Sequence, residues 1–499
     1  MLPFKTILLL DRSLATPLYL QLCGQLIQGI TCGIIPKGLR LPGSRTMADL
    51  LELSRKTVNQ AYEELEAQGW VNIYAKKGAF VSQDIPVLKQ RNITPQSLAE
   101  RTALQRFKSG FPLPDQHDYL SFFQPATAKA ARLTIDTGYP DARLAPAREL
   151  AQSFQRVLTG RKGGRIMNYA PDFCGHPDLI KEVLKYLAET RGIVARPENL
   201  FISRGSLMAF SVIFRLLLQP GDKVVTGAAS FQVADNIIRI AGGELLHVPV
   251  DEKGIDVEAL EVLCRKQTIR AVFVMPHHHH PTTVSLSAGR RMKLLQLAEQ
   301  YGFAIVEDDY DYDFHYYSSP ILPMASIDRG GAVIYVGSFS KTLVPGLRTG
   351  FILAPEDVIA RVARLSRFMD CHGNTALEKA LAQLFQEGII RRHLKKSLKC
   401  YHQRRDLFCE LLQTELAGKV SFQQPEGGLA AWVHFNEDFP LATVRTMALQ
   451  RGLLISRTVF CHADGRPINA IRMGFASLSE SESVEAIAIL KSVLEEHQQ

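Results

Sequence analysis

The run VIYVGSFSKT, residues 333–342, carries five apolar or β-branched residues into a lysine, Lys341. An amine at the end of a buried strand is a candidate nucleophile, because desolvation lowers its pKa and frees it to condense with a carbonyl. Ser338 stands three residues before it and Arg348 seven after. A hydroxyl and a guanidinium at these offsets are suited to a phosphate. A second apolar run, FAIVEDDYDYDF, brings Asp308 to a strand end with Tyr310 two residues on. A carboxylate there can keep a ring nitrogen protonated, and the tyrosine can hydrogen-bond a ring oxygen. An aldehyde, a phosphate and a protonated ring nitrogen together describe pyridoxal 5′-phosphate (PLP). A single lysine after a strand is ordinarily a surface residue; it is the Asp, Ser and Arg at these offsets that point to the cofactor.

A second unusual stretch is AVFVMPHHHHPTTVS, with His277, His278, His279 and His280 in a row. The run lies mid-chain, so it is no terminal tag. Four adjacent residues in an extended loop alternate sides and do not all face one ion, so no metal site is expected.

The elements that must hold these groups alternate between strand and helix from about residue 131 to 499. NLFISRG, DKVVTG, GELLHVPV, AVFVMP, FAIVEDD, AVIYVGSFS and GFILAP read as strands. Helical segments such as RRMKLLQLAEQYG separate them. Such alternation predicts a mixed, mostly parallel sheet with helices on both faces, an α/β fold. Residues 1–82 read differently. TPLYLQLCGQLIQGITCG predicts a helix with Thr16 as N-cap and Pro17 in its first position. GSRTMADLLEL predicts a short second helix capped by Ser44. SRKTVNQAYEELEAQG predicts a third, capped by Ser54 and ended by Gly69. WVNIYAKKGAFVSQ predicts two strands about a Lys-Lys-Gly turn. Three helices and a hairpin in this order form a winged helix-turn-helix. The opening residues MLPFKTILLLDRSLATP read as a strand or arm. Between the two units, residues 83–130 hold prolines at 86, 95, 112, 114 and 125 and predict a linker.

A recognition helix needs polar and basic residues near its start to reach base edges and phosphates. Ser54, Arg55, Lys56, Thr57 and Asn59 supply them, with Arg45 in the preceding helix and Lys76 and Lys77 at the wing tip. The segment LRLPGSRTMADLLELSRKTVNQAYEELEAQGWV, with PLYLQL before it and KKGAFV after it, resembles the DNA-binding domain of GntR-family bacterial regulators. It departs from the family at IPKG and at Gly43, both turn positions. Residues 131–499 resemble fold type I aminotransferases, in the form fused to GntR domains, the MocR subfamily.

That resemblance implies Lys341 as the Schiff-base lysine, Asp308 as the partner of the pyridine nitrogen and Tyr310 at the phenolic oxygen. Ser338, Arg348 and Ser206 would hold the phosphate, and Phe231 would stack on the ring in place of a tyrosine. Arg472, in IRMGFA, matches an arginine that binds a substrate carboxylate. Tyr169 matches a residue that reaches the partner subunit's phosphate site, so a homodimer with a smaller C-terminal α+β subdomain in each copy is implied. His278 matches the family histidine. His280 either lines the pocket or packs the loop. Leu207 and Met208 stand where polar side chains are usual, and PTT lacks the usual glycine. The resemblance therefore implies a transcriptional regulator that binds double-stranded operator DNA. It senses PLP or an amino effector through a Schiff base; an active aminotransferase with an accessory DNA-binding unit is the alternative.

Composition agrees. The 499 residues are 46% hydrophobic, enough for several cores, and the net charge of +8 is too small for the length to decide a partner. No apolar run approaches the roughly 20 residues that cross a bilayer, so no membrane partner is expected. Eight scattered cysteines without a C-x-x-C pair predict free thiols and the cytoplasm.

Overall fold

The computed structural model describes residues 2–85, 131–161, 163–168, 174–316, 321–462 and 464–497. Tyr169 and nearly all of the expected linker lie outside these residues. The chain divides into two compact units, Met1–Gln116 and His117–Gln499.

In the first unit, α1 (Phe4–Ile7), α2 (Leu18–Thr31), α3 (Ser44–Leu51) and α4 (Arg55–Ala67) precede a hairpin of β1 (Val71–Tyr74) and β2 (Gly78–Val81). Leu22, Leu26 and Ile30 of α2 recur at helical spacing and are buried against Met47, Val58 and Leu65. The Ser54 hydroxyl accepts from the Thr57 amide at 3.1 Å, as its N-cap position predicts. The hairpin pairs Val71 with Val81 and Tyr74 with Gly78.

Three local expectations are corrected. The opening segment is not a strand: Phe4–Ile7 forms one helical turn, and Phe4 and Leu8 are drawn into the core. The cap of α2 is Pro17 rather than Thr16; the Gln21 side chain bonds the Thr16 carbonyl and holds that residue outside the helix. Ser44 is the first helical residue of α3 with Gly43 as cap, and its hydroxyl is 3.4 Å from Arg55 Nε.

In the second unit β3 (Leu133–Ile135) pairs in parallel with a later strand of the C-terminal region. The central sheet uses β4 (Leu200–Ser203), β5 (Lys223–Gly227) and β6 (Glu244–Val248). After a two-residue hairpin, β7 (Val250–Asp251) and β8 (Gly254–Ile255), come β9 (Ala271–Val274), β10 (Ala304–Asp309), β11 (Val333–Ser338) and β12 (Gly350–Leu353). Their order is β4-β12-β11-β10-β9-β5-β6. All neighbours run parallel except around β12, which is antiparallel to both β4 and β11. These are the seven strands read from the sequence. Both faces are covered. Val272, Ile305 and Tyr335 enter one apolar cluster; Phe273, Val306 and Val336, one residue on, enter another on the opposite face.

The C-terminal subdomain adds β13 (Val420–Phe422), β14 (Ala430–Phe435), β15 (Leu453–Ile455) and β16 (Ala470–Gly474). β13, β14 and β16 form an antiparallel sheet, and β15 is the partner of β3. The long helix Ile389–Glu415 leads into this subdomain. In open α/β sheets ligands bind beyond the carboxyl ends of the strands. Here those ends are Asp309 on β10 and Ser338 on β11.

Candidate functional site

A cavity of about 250 Å³ opens at these strand ends. Lys341, Asp308, Tyr310, Ser338, Arg348, Ser206, Phe231 and His280 all line it, so residues spread over 143 positions converge there. Ser338 caps a single helical turn, Phe339–Thr342, that projects Lys341 from the end of β11. Lys341 Nζ donates to the Gly138 carbonyl at 2.8 Å and lies 4.2 Å from the Tyr139 ring centre. Burial lowers its pKa from 10.5 to about 8, with Arg472 adding to the effect against the pull of Asp136. The amine is thus partly neutral near pH 8, the form that attacks a carbonyl.

Asp308, the penultimate residue of β10, has its Oδ1 buried and without a hydrogen-bond partner. Burial, with Asp309 and Asp311 beside it, pushes its pKa well above the usual carboxylate range. The neighbouring acids have other partners. Asp309 accepts from Tyr335 at 2.5 Å and faces His277 and Arg191; burial alone would raise it, but these groups bring it down to about 2. Asp313 accepts from Thr342 at 3.1 Å and pairs with Arg191 at 3.3 Å, which ties the lysine turn to the helix Pro177–Arg191.

The far side of the cavity presents Ser206 at the start of the helix Ser206–Leu217, together with Ser338, Ser340 and the exposed Arg348. Gly205, φ +82°, precedes the helix, and a Cβ there would stand 2.8 Å from an Arg348 nitrogen. Glycine therefore lets the guanidinium close over the helix start. Hydroxyls, backbone N–H groups and a guanidinium at a helix N-terminus suit a phosphate. Ser340 was not singled out in the sequence; its buried hydroxyl has no partner and lines the cavity. Thr137 and Tyr139 were missed too, because they lie some 200 residues before the lysine they face.

The amine, the unpartnered carboxylate oxygen and the phosphate cradle fit PLP, each at the part its chemistry requires. Two of the residues expected at the ligand also have partners within the protein. The Tyr310 hydroxyl donates to the His278 carbonyl at 2.6 Å. Arg472 is buried beside the cavity, and its donors go to the Thr137 carbonyl at 2.9 Å, the Pro281 carbonyl at 3.2 Å and the Tyr310 hydroxyl at 3.1 Å.

The four histidines have separate partners, but the loop is bent rather than extended, with His278 in the left-handed region at φ 47°. His277 faces Asp309, His278 bonds Asp311 at 2.9 Å, and His279 bonds Thr282 at 2.8 Å. His280 reaches the cavity, with its ring 5.1 Å from that of Phe231 and 5.8 Å from that of Phe460. Burial holds His280 neutral, helped by the positive charges of Arg472 and Lys341.

In the N-terminal unit Arg45, Arg55, Lys56, Asn59, Lys76 and Lys77 are exposed. Ser54, also exposed, and Thr57 bond each other at 2.8 Å, which serves the start of α4. Lys76 sits in the left-handed region, φ 62°, at the tip of the hairpin.

Two family models match the chain: "Bacterial regulatory proteins, gntR family" over residues 18–81 and "Aminotransferase class I and II" over residues 138–490. The chain is 27% identical to the "Probable rhizopine catabolism regulatory protein MocR" of Rhizobium meliloti, covering 97% of this chain and 95% of that one. It is also 27% identical to the HTH-type transcriptional regulator TauR of Rhodobacter capsulatus, over 94% of each. Among solved structures, LysN, an alpha-aminoadipate aminotransferase from Thermus thermophilus, superposes with a TM-score of 0.69 at 25% identity, over 77% of this chain and 98% of LysN. The chain belongs to the class I and II aminotransferase family and joins that fold to a GntR-type helix-turn-helix, the composite build of the MocR subfamily of transcriptional regulators.

Proposed function

We propose that this regulator binds operator DNA through its N-terminal unit and holds PLP on Lys341, and that it responds to PLP itself or to an amino compound. The observation that carries the reading is the meeting, in one cavity, of a buried lysine amine and a buried carboxylate oxygen without a partner. When bound, PLP supplies an aldehyde for an amine and a ring that draws electrons from the adjoining carbon. Lys341 provides the amine. Asp308 receives the pyridine N–H, and Ser206, Ser338, Ser340 and Arg348 take the phosphate. Phe231 and His280 bound the ring.

The amine must lose its proton before it attacks. The rate at which added PLP attaches to the apo-protein should therefore rise with pH through about 8 and then level off. Stopped-flow absorbance across pH 6.5–9.5 measures this; a rate flat with pH is the result against it. Turnover as an aminotransferase is the alternative. Sensing is favoured because the chain is similar along 94–97% of its length to proteins named as regulators of transcription or catabolism.

Arg45, Ser54, Arg55, Lys56, Thr57, Asn59, Lys76 and Lys77 are the proposed DNA contacts. Arg55→Ala is expected to cost about 1–3 kcal/mol of discrimination for the selected sequence. Lys76→Ala should weaken binding to all sequences alike and reduce the salt slope by about 0.9. Fluorescence anisotropy with operator and scrambled duplexes separates the two patterns.

Tyr169 is proposed to reach the partner subunit's phosphate site, which requires a homodimer. Sedimentation of the full chain at micromolar concentration should give a dimer; a monomer is the opposing result. Among the described residues no helix is long and apolar enough to cross a membrane, and the cysteines are free thiols. Both support action in the cytoplasm.

A further inference from the structure

The helix Ile389–Glu415 carries Arg391, Arg392, Lys395, Lys396 and Lys399 within its first eleven residues, all exposed. No acidic residue occurs between 388 and 405. Among the described residues, no carboxylate forms an ion pair with any of the five; Arg392 donates only to the Glu387 carbonyl, at 3.1 Å. Local energetics oppose this placement. Cations are unfavourable at the positive end of a helix dipole. Arg391, Lys395 and Lys399 repel one another at i, i+4 spacing, as do Arg392 and Lys396. The helix is held instead by its inner face, where Ile390, His393, Ser397, Tyr401 and Phe408 are buried. The outer charges therefore add nothing to its stability.

From this geometry we infer that the first three turns of this helix are a second DNA-contacting surface, which binds the phosphate backbone of duplex DNA without reading sequence. The inference rests on the reading of the chain as a DNA-binding regulator. The partner follows from charge complementarity: successive turns offer two rows of cations about 6 Å apart along the axis, and a duplex presents one negative charge per roughly 1.7 Å. It follows also from the chain itself, since a duplex held by the N-terminal unit is at high effective concentration for a basic surface on the same molecule. The inner face gives the contact a route to the pocket. His393 is held against the backbone of Thr342, the residue after Lys341. Tyr401 and Arg404 bond Asp141, at 3.0 and 2.8 Å, just beyond the loop that faces the Lys341 amine.

The test uses the full chain and a selected operator duplex with long flanks. Neutralising Lys395, Lys396 and Lys399 together to Gln should lower the slope of log K against log[salt] by up to about 2.7, at about 0.9 for each phosphate that is no longer neutralised. The triple Lys→Arg variant should keep the wild-type slope. Near-UV circular dichroism of both should match wild type. A wild-type chain that binds no duplex defeats the regulator reading itself. A wild-type chain that binds, with an unchanged slope in the Gln variant, overturns only the second surface. Lost binding to phosphatidylserine vesicles with an unchanged DNA slope also overturns it, in favour of a lipid partner.

Discussion

Asp308→Asn is expected to weaken PLP binding about 30- to 5,000-fold while making the PLP-free protein more stable. The loss follows from the site. A pyridinium N–H paired with a buried carboxylate is a desolvated charge pair, and removing one partner of such a pair costs about 2–5 kcal/mol. The gain follows from the same burial. Without a partner the Asp308 carboxyl is disfavoured as an anion, by desolvation first and by Asp309 and Asp311 next. Its folded pKa is raised above the ordinary value of 3.8. The folded state therefore keeps a proton that the unfolded state releases, and Asp308 takes away stability as pH rises above that value. Asparagine has no proton to lose. At pH 7 the PLP-free variant should melt higher than PLP-free wild type, and the PLP-loaded variant lower than loaded wild type. Thermal scans with equilibrium titration of PLP read both signs. A variant destabilised in both forms would make Asp308 a structural residue only.

The second large effect is at Lys341. Lys341→Ala should abolish covalent attachment altogether: borohydride should fix PLP to wild type at this residue and to no residue of the variant. Non-covalent binding should survive, because Ser206, Ser338, Ser340 and Arg348 are untouched. Peptide mapping after reduction gives the answer. An adduct at another lysine, or equal labelling of both proteins, would contradict the assignment.

Most of the scaffold was legible because its signals are local. Six of the seven strands of the central sheet are mostly buried runs of four to six residues, the edge strand β6 being buried only at Val248, and each carries its own signal. The winged unit was legible for the same reason, down to the Ser54 cap. The caps at Thr16 and Ser44 were misplaced by one residue, since a proline or a glycine in the right conformation can start a helix without a side-chain bond. Lys341, Ser338 and Arg348 could be seen together because eleven residues contain them. Gly138 and Tyr139, which touch the same amine, could not, because only the folded chain brings them across 200 residues. The acid-rich stretch after β10 shows the same limit. Asp308 and Asp309 are neighbours of one type; alternation across the strand sends one to the cavity and the other to Tyr335 and His277. Arg472 was identified by motif, but its bonds to the Thr137 and Pro281 carbonyls depend on a loop and a turn from distant segments.

One measurement bears most directly on the claim that a PLP pocket and a DNA-reading unit work as one regulator. The affinity of the full chain for a duplex selected from genomic fragments is determined with and without saturating PLP, and PLP affinity with and without that duplex. Coupling between sites changes both affinities by the same factor, and such factors are typically about 5–150. A factor in that range is expected, equal in the two directions and lost in Lys341→Ala. Equal DNA affinity with and without PLP, in a protein that shows no visible absorbance from bound cofactor, would contradict the claim.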